Sequence, residues 1–315
     1  MHERFYKALY RIRRVEEEIA AVYPSDKIKS PVHLSIGQEA VSVGVCEALC
    51  PDDVVFGTYR SHALYLAKGG NLRRMIAELY GKVDGCAKGK GGSMHLIDAQ
   101  ARVMGASAVV GTTIPQAVGF AYALKLQRKD SVVVSFFGDG AVDEGVFHES
   151  MNFATLKSLP IVFVCENNFY AIHTHLLRRH KRDNICERAS AYGMPAERIP
   201  ENDVLRIYER VKEATAGIRS GDSGPVFLEC LTYRLKEHVG PNEDFTLGYR
   251  HREEAQTWIT NDPMARLAGF IDPGERRRIE NDVELEIRDA FALAEQSPFP
   301  DPPELYTDVF DHEAK

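Results

Sequence analysis

Apolar positions recur at helical spacing from the start of the chain. Phe5, Leu9, Ile12, Val15, Ile19 and Val22 form one stripe and predict an amphipathic helix over 3–23, its charged face solvated. A loop over 24–36 carries His33 and leads into Gly37-Gln38-Glu39-Ala40, where a second helix runs to Leu49. Pro51-Asp52-Asp53 marks a turn, Val54–Phe56 a short strand, and Ala63 the start of another helix. Val103 to Gln127 is a glycine- and alanine-rich lead into a long helix. The period changes at Val132. Val132–Phe137 is a nearly unbroken, β-branched apolar run, as a strand covered on both faces requires. Phe147, Met151 and Ala154 then stand at i, i+4, i+7 and predict a helix, and Ile161–Cys165 is a second apolar run. Helices follow over 183–193 and 202–219, with a strand at Pro225–Cys230 between them and the tail. From Arg252 onward the pattern is charged helices interrupted by Pro263 and Pro273, then SPFPDPPELY, read as an extended arm.

Strand, glycine turn, helix and strand over 131–168 make a βαβ unit. Such crossovers are right-handed, so the two strands are parallel. Gly138-Asp139-Gly140 and Asn167-Asn168 both fall just past the carboxyl end of a strand, the edge where open α/β sheets bind ligands. Asp139 and Asn168 are 29 residues apart, one full crossover, so their side-chain oxygens can face one small volume. Oxygen donors there suit Mg²⁺, which is usually completed by water and substrate phosphates. The glycines beside Asp139 let backbone N–H groups approach a phosphate near a helix N-terminus. The fold class expected is α/β, a parallel sheet flanked by helices. The expected division is an α/β domain over 1–260 and a helical, proline-rich extension over 261–315.

Composition narrows the classes. Hydrophobic content of 44% and charged content of 27% over 315 residues are those of a globular protein. A net charge of −7 leaves no footprint for nucleic acid or an anionic membrane. No apolar run is long enough for a bilayer, and the charged N-terminus has no secretory pattern, so the cytoplasm is expected. Six cysteines in a chain of this length are no disulfide framework; Cys46 and Cys50 read as packing residues. The stretch 81–95, GKVDGCAKGKGGSMH, has five glycines and three lysines. It suits a loop that covers a phosphate, or one that is simply solvated. The basic cluster Arg178–Arg182 reads as a solvated loop or an active-site cover.

A lone Gly-Asp-Gly is an ordinary tight turn. Followed by a double Asn at this spacing, it resembles the thiamine-diphosphate signature. The surrounding GDGAVDEGVFHESMNFATLKSLPIVFVCENNFYAI is similar to the α subunit of the 2-oxo acid dehydrogenase E1 family, which covers pyruvate, branched-chain and acetoin dehydrogenases. The resemblance spans roughly residues 5–260. It implies a thiamin-diphosphate-binding fold and the cofactors thiamine diphosphate and Mg²⁺. Carried over by position, Asp139, Asn168 and the carbonyl of Tyr170 would ligate the metal. Gly138, Gly140 and Ala141 would lie along the diphosphate, with N–H bonds from Gly140 and Ala141. Tyr59 and Arg60 match a phosphate-binding pair, and Val110 would pack between the cofactor's two rings. His238 and His33 match catalytic histidines, His238 also over the cofactor.

The glutamate that activates the cofactor is not identified here; Glu39 and Glu166 are not assigned to it. The resemblance implies an E1 β subunit in a heterotetramer of two α and two β subunits, a 2-oxo acid substrate, and a lipoyl acyltransferase as acceptor. A split transketolase-like carboligase, a silent cofactor-binding assembly subunit and a phosphatase using Asp139 are competing readings. The phosphatase lacks a second carboxylate, since Ala141 stands there. Two departures bear on the substrate. Ala106 and Ala108 stand where the family has smaller residues, so they would narrow the pocket. Glu237-His238-Val239 replaces Gly-His-Ser, which would add a charge and removes a phosphorylatable hydroxyl.

Overall fold

The computed structural model describes residues 1–308; the last part of the expected extension, 309–315, lies outside the described residues. The elements are α1 (His2–Val22), α2 (Glu39–Ala48), β1 (Val54–Phe56), α3 (His62–Ala67), α4 (Leu72–Leu79), β2 (Val103–Gly105), α5 (Thr113–Leu126), β3 (Val133–Gly138), α6 (Gly145–Leu156) and β4 (Ile161–Asn167). They continue with β5 (Tyr170–Ala171), β6 (Thr174–His175), α7 (Leu176–Arg179), α8 (Cys186–Ser190), β7 (Ala196–Ile199), α9 (Val204–Ser220), β8 (Val226–Leu231), α10 (Arg252–Thr260), α11 (Pro263–Ala268) and α12 (Pro273–Gln296). Six strands form one parallel sheet in the order β2-β1-β3-β4-β8-β7, and β5 and β6 form a separate antiparallel hairpin.

Strand alternation explains the unbroken apolar runs. Val134, Phe136, Val162, Val164, Leu228 and Cys230 face one core with α1, α2, α4, α9 and α12. Val133, Phe137, Ile161, Phe163, Cys165 and Phe227 face the other with α5, α6 and α8. Both faces are covered, so successive residues on each strand must be apolar. The predicted stripe of α6 behaves the same way: Phe147, Met151 and Ala154 are all buried. Cys46, Cys165 and Cys230 are buried as expected, whereas Cys50 is exposed.

Four features differ from the sequence pattern. The charged face of α1 is not simply solvated: Arg11 pairs with Glu286 at 2.7 Å and Arg14 with Glu284 at 2.7 Å, both on α12. Ile279, Val283, Ile287 and Phe291 of α12 enter the same core as α1. Pro263 and Pro273 start helices, because a missing N–H costs nothing in a first turn, and Asp262 and Asp272 cap them. Residues 302–306 form a 3₁₀ turn instead of an extended arm.

The sheet order creates the site. The chain runs outward from β1 to β2 and then returns across β1 to β3. Loops after β1 and β3 therefore leave in opposite directions, and a crevice opens at their carboxyl ends.

Candidate active site

Gly138 pairs with Glu166 across the β3–β4 ladder, so Asp139 and Asn168 start one and two residues past the last shared rung. A cavity of about 230 Å³ opens at this edge. Gly138, Asp139, Gly140 and Ala141 line it from the β3 turn, and Asn168 and Tyr170 from the β4 turn. Tyr59 and Arg60 line it from the loop after β1, Val110 from the lead into α5, and His238 from the segment after β8. Five segments distant in sequence thus converge on one volume.

Asp139 opens a 3₁₀ turn, Asp139–Asp143, that sits between β3 and α6. The Asp139 N–H serves its own carboxylate, while the N–H groups of Gly140 and Ala141, at the start of a 3₁₀ turn, have no acceptor within it. The turn approaches the hairpin so closely that a Cβ at Gly140 would lie 2.9 Å from that of Ala171. At Gly138 an added Cβ would meet nothing within 4 Å, because that backbone faces the opening. The Asp139 side chain is 1% exposed. Burial pushes its carboxyl up to about 6, opposed by the Arg179 guanidinium and by the N–H groups of Asp139 and Asn168.

Asn168 is fixed from both ends. Its Nδ2 donates to Gln38 Oε1 at 2.9 Å, and its Oδ1 accepts from Tyr170 N–H at 3.1 Å. Gln38 reaches the site because Gly37, at φ +96°, turns the chain tightly over the segment after β8, where a Cβ would lie 2.8 Å from Leu235 Cγ. The residues on either side of β5, Phe169 (φ 72°) and Ile172 (φ 55°), are left-handed without being glycine. Such strain persists only where surrounding contacts over-determine it; here Ile172 O accepts from Arg234 Nη2 at 3.2 Å.

The opposite wall is cationic and aromatic. Arg60 is buried; its Nη1 donates to Leu34 O at 2.6 Å and its Nη2 to His238 O at 3.2 Å. Burial and the nearby Arg234 bring Arg60 down to about 10. The Tyr59 ring meets two imidazoles at an angle, with centroids 4.4 Å from His33 and 5.5 Å from His238. Burial, then Arg60, lowers both His33 and His238 to about 3, so both rings are neutral near neutral pH. His238 lines the cavity. His33 does not: it is 5% exposed, packs behind Tyr59 and His238, and its Nδ1 has no partner.

Several expectations need correction. Ala106 and Ala108 do not line the cavity; that segment presents Ser107, Val109 and Val110. Glu237 turns away into its own loop and accepts from Asn242 N–H at 2.9 Å, so it puts no carboxylate on the cavity wall. The glycine-lysine loop 81–95 contributes no residue to the cavity. It wraps around Glu78, whose carboxylate accepts from the N–H groups of Ala87 (2.7 Å), Gly89 (3.0 Å), Gly91 (2.8 Å) and Gly92 (3.1 Å). Nor is the loop simply solvated: Lys88 and Lys90 bind the 302–308 segment through Glu304, at 2.8 Å and 3.2 Å. Within the basic cluster, Arg179 is neither solvated nor a cover. It pairs with both Asp139 and Asp143.

Sequence reasoning also missed groups that belong to this edge. Gln38 stood in a motif already singled out, but nothing local said which side chain it would touch. Glu166 lines the cavity, and burial raises it to about 7 against the opposing Arg60. Asn167 is anchored to buried Glu229 at 2.7 Å, which in turn holds Arg198 at 2.6 Å. Glu39, by contrast, is held by Arg13 and the Gly37 N–H, away from the cavity.

One buried carboxylate, one amide oxygen and a backbone carbonyl fit a hard cation completed by phosphate and water. Among the described residues, no three His, Cys, Asp or Glu side chains gather as a self-sufficient metal cluster. A sequence profile of the dehydrogenase E1 component matches residues 7–303. The chain belongs to the dehydrogenase E1 component family. Relatives agree across nearly the whole length. The α subunit of acetoin:2,6-dichlorophenolindophenol oxidoreductase from Bacillus subtilis (strain 168) is 37% identical, covering 97% of this chain and 92% of that protein. The pyruvate dehydrogenase E1 component subunit α of Rhizobium meliloti (strain 1021) is 36% identical over 96% and 88%. The chloroplastic pyruvate dehydrogenase E1 component subunit α-3 of Arabidopsis thaliana is 37% identical over 95% and 72%. Family membership implies thiamine diphosphate as cofactor. No helix among the described residues is long and apolar enough to cross a membrane.

Proposed function

We propose that this chain is the α subunit of a thiamine-diphosphate- and Mg²⁺-dependent 2-oxo acid or acetoin dehydrogenase E1 component, working with a β subunit in a heterotetramer and passing its acyl product to a lipoyl acyltransferase. The observation that carries this is the convergence of Asp139, Asn168, Tyr59 and Arg60 on one cavity, in a chain matched to the family over residues 7–303.

Asp139, Asn168 Oδ1 and the Tyr170 carbonyl hold Mg²⁺ in this reading. Gln38 keeps the Asn168 amide oriented with its oxygen toward the turn. Arg60 and the N–H groups of Gly140 and Ala141 take the diphosphate oxygens, and Tyr59 closes the same wall. Bound thiamine diphosphate supplies the electron sink for decarboxylation and acyl transfer. His238, neutral and on the cavity wall, can hydrogen-bond the substrate through a ring nitrogen without adding a fixed charge. His33 acts as a positioning residue behind it. Val110 gives the cofactor an apolar side wall.

The rim supports a partner. Val109 is 63% exposed, Val110 43% and Ile172 54%, an apolar edge around a polar cavity. Exposed apolar surface beside a binding cleft marks a protein interface, and a β subunit seated there would complete the pocket.

The test is turnover of pyruvate, branched-chain 2-oxo acids and acetoin by the chain co-purified with its β subunit. A lipoyl domain or an artificial electron acceptor takes the product. Mg²⁺- and thiamine-diphosphate-dependent turnover only in the complex is expected. Full turnover by the homogeneous single chain would overturn the subunit reading; no cofactor-dependent turnover of any of these substrates by the complex would overturn the activity.

A further inference from the structure

Arg179, the last residue of α7, lies outside the cavity wall yet grips the carboxylate at its floor. Its Nη2 pairs with Asp139 Oδ2 and its Nη1 with Asp143 Oδ2. Nη1 also reaches the Asp139 carbonyl at 3.4 Å, and Nε the Thr174 carbonyl at 3.4 Å. Only 13% of the side chain is exposed. The far anchor is itself held: Asp143 Oδ1 meets His180 Nε2 at 2.5 Å and Arg188 at 3.6 Å. The guanidinium is thus fixed by two carboxylates on one turn and cannot leave without breaking two ion pairs.

We infer that Arg179 makes metal binding at Asp139 conditional on the diphosphate. The inference rests on the assignment of Asp139 to Mg²⁺ above. A divalent ion on the other oxygen of this carboxylate stands within about 6 Å of the guanidinium, and at an effective dielectric of about 20 the two cations repel by several times the thermal energy. Asp139, already neutralised by Arg179, offers Mg²⁺ alone little compensation. A diphosphate reverses the balance, because its negative charges attract both the metal and the arginine. Metal and diphosphate therefore bind with strong positive coupling, which by linkage acts equally in both directions. The site rejects free divalent cations and accepts the metal-diphosphate pair.

The experiment is calorimetric titration of the full chain in complex with its β subunit, with Mg²⁺ alone and then with thiamine diphosphate at fixed Mg²⁺. In the wild type, Mg²⁺ alone binds weakly and the pair binds tightly. In Arg179→Gln, Mg²⁺ alone binds at least about tenfold more tightly and the dependence on diphosphate shrinks by the same factor. Arg179→Lys keeps the charge and behaves as wild type. Arg179→Met, of similar length and uncharged, replaces the Gln variant if that one does not fold. Wild-type coupling in the neutral variants overturns the inference, as does a Lys variant shifted as far as the Gln variant. No Mg²⁺-dependent thiamine-diphosphate binding in the wild type would instead overturn the site assignment itself.

Discussion

Two glycine-rich turns in this chain each embrace a carboxylate, and they differ in what remains free afterwards. The turn over 138–141 presents backbone to an open cavity, with Asp139 on its floor and the Arg60 wall opposite. The loop over 81–95 has more glycines and more lysines, yet its N–H groups close on Glu78 and its lysines close on the 302–308 segment. In the proposed function the first receives an external anion. The second has its anion built in, donated by α4. Glycine and lysine content makes a loop able to hold an anion; whether a neighbouring carboxylate already fills the nest decides whether it binds a ligand.

The largest effect is expected at Asp139. Asp139→Ala should abolish the thermal stabilisation that thiamine diphosphate and Mg²⁺ give the complex, while leaving its folded spectrum intact. Retained stabilisation would take Asp139 out of the site. Glu78→Ala should do the reverse. Four N–H groups lose their buried acceptor, so stability falls by about 3 kcal/mol in urea titration, while thiamine-diphosphate affinity stays within about twofold. A large loss of affinity with little loss of stability would make the 81–95 loop a cofactor loop after all.

A smaller effect concerns acid. His33 and His238 sit near 3 when folded and near 6.5 when unfolded. Between those values the unfolded chain binds protons that the folded chain refuses. Stability from these groups is therefore complete above about pH 6.5 and is lost as pH falls toward about 3. His238→Asn removes one of the two refusals and should make the decline in the urea midpoint from about pH 7 to about pH 5 shallower. An unchanged slope would mean that His238 titrates normally. The smallest effect belongs to Lys88→Ala with Lys90→Ala: exposed ion pairs contribute little and are screened by salt. Cofactor affinity should not move, and any shift in melting should vanish at high salt. A loss of diphosphate binding would contradict the closed-nest picture.

Much of the scaffold was legible because it depends on local period. The continuous burial of Val133–Phe137 and Ile161–Cys165 and the 3-4 spacing in α6 follow from residues that can be read directly. The proximity of Asp139 and Asn168 followed from one crossover length and a rule of handedness. Short elements were not legible. β2 is three residues in a glycine-rich stretch, β7 is the charged edge segment Ala196–Ile199, and the β5–β6 hairpin turns through Ile172, which gives no glycine signal. The pairing of Arg179 with Asp139 spans 40 residues, that of Gln38 with Asn168 spans 130, and neither has any periodic signature. The alanines of 105–111 and Glu237 were misplaced for a related reason: sequence places a residue in a segment but does not say which way it faces.

In the proposed function, residues just past the ends of two neighbouring strands, β3 and β4, share a metal. Mn²⁺ substituted for Mg²⁺, in crystals of the complex grown with thiamine diphosphate, tests it by anomalous scattering. A single peak is expected between the Asp139 carboxylate, the Asn168 amide oxygen and the Tyr170 carbonyl, touching the diphosphate. A peak away from these three oxygens, or cofactor bound with no metal between them, would contradict it.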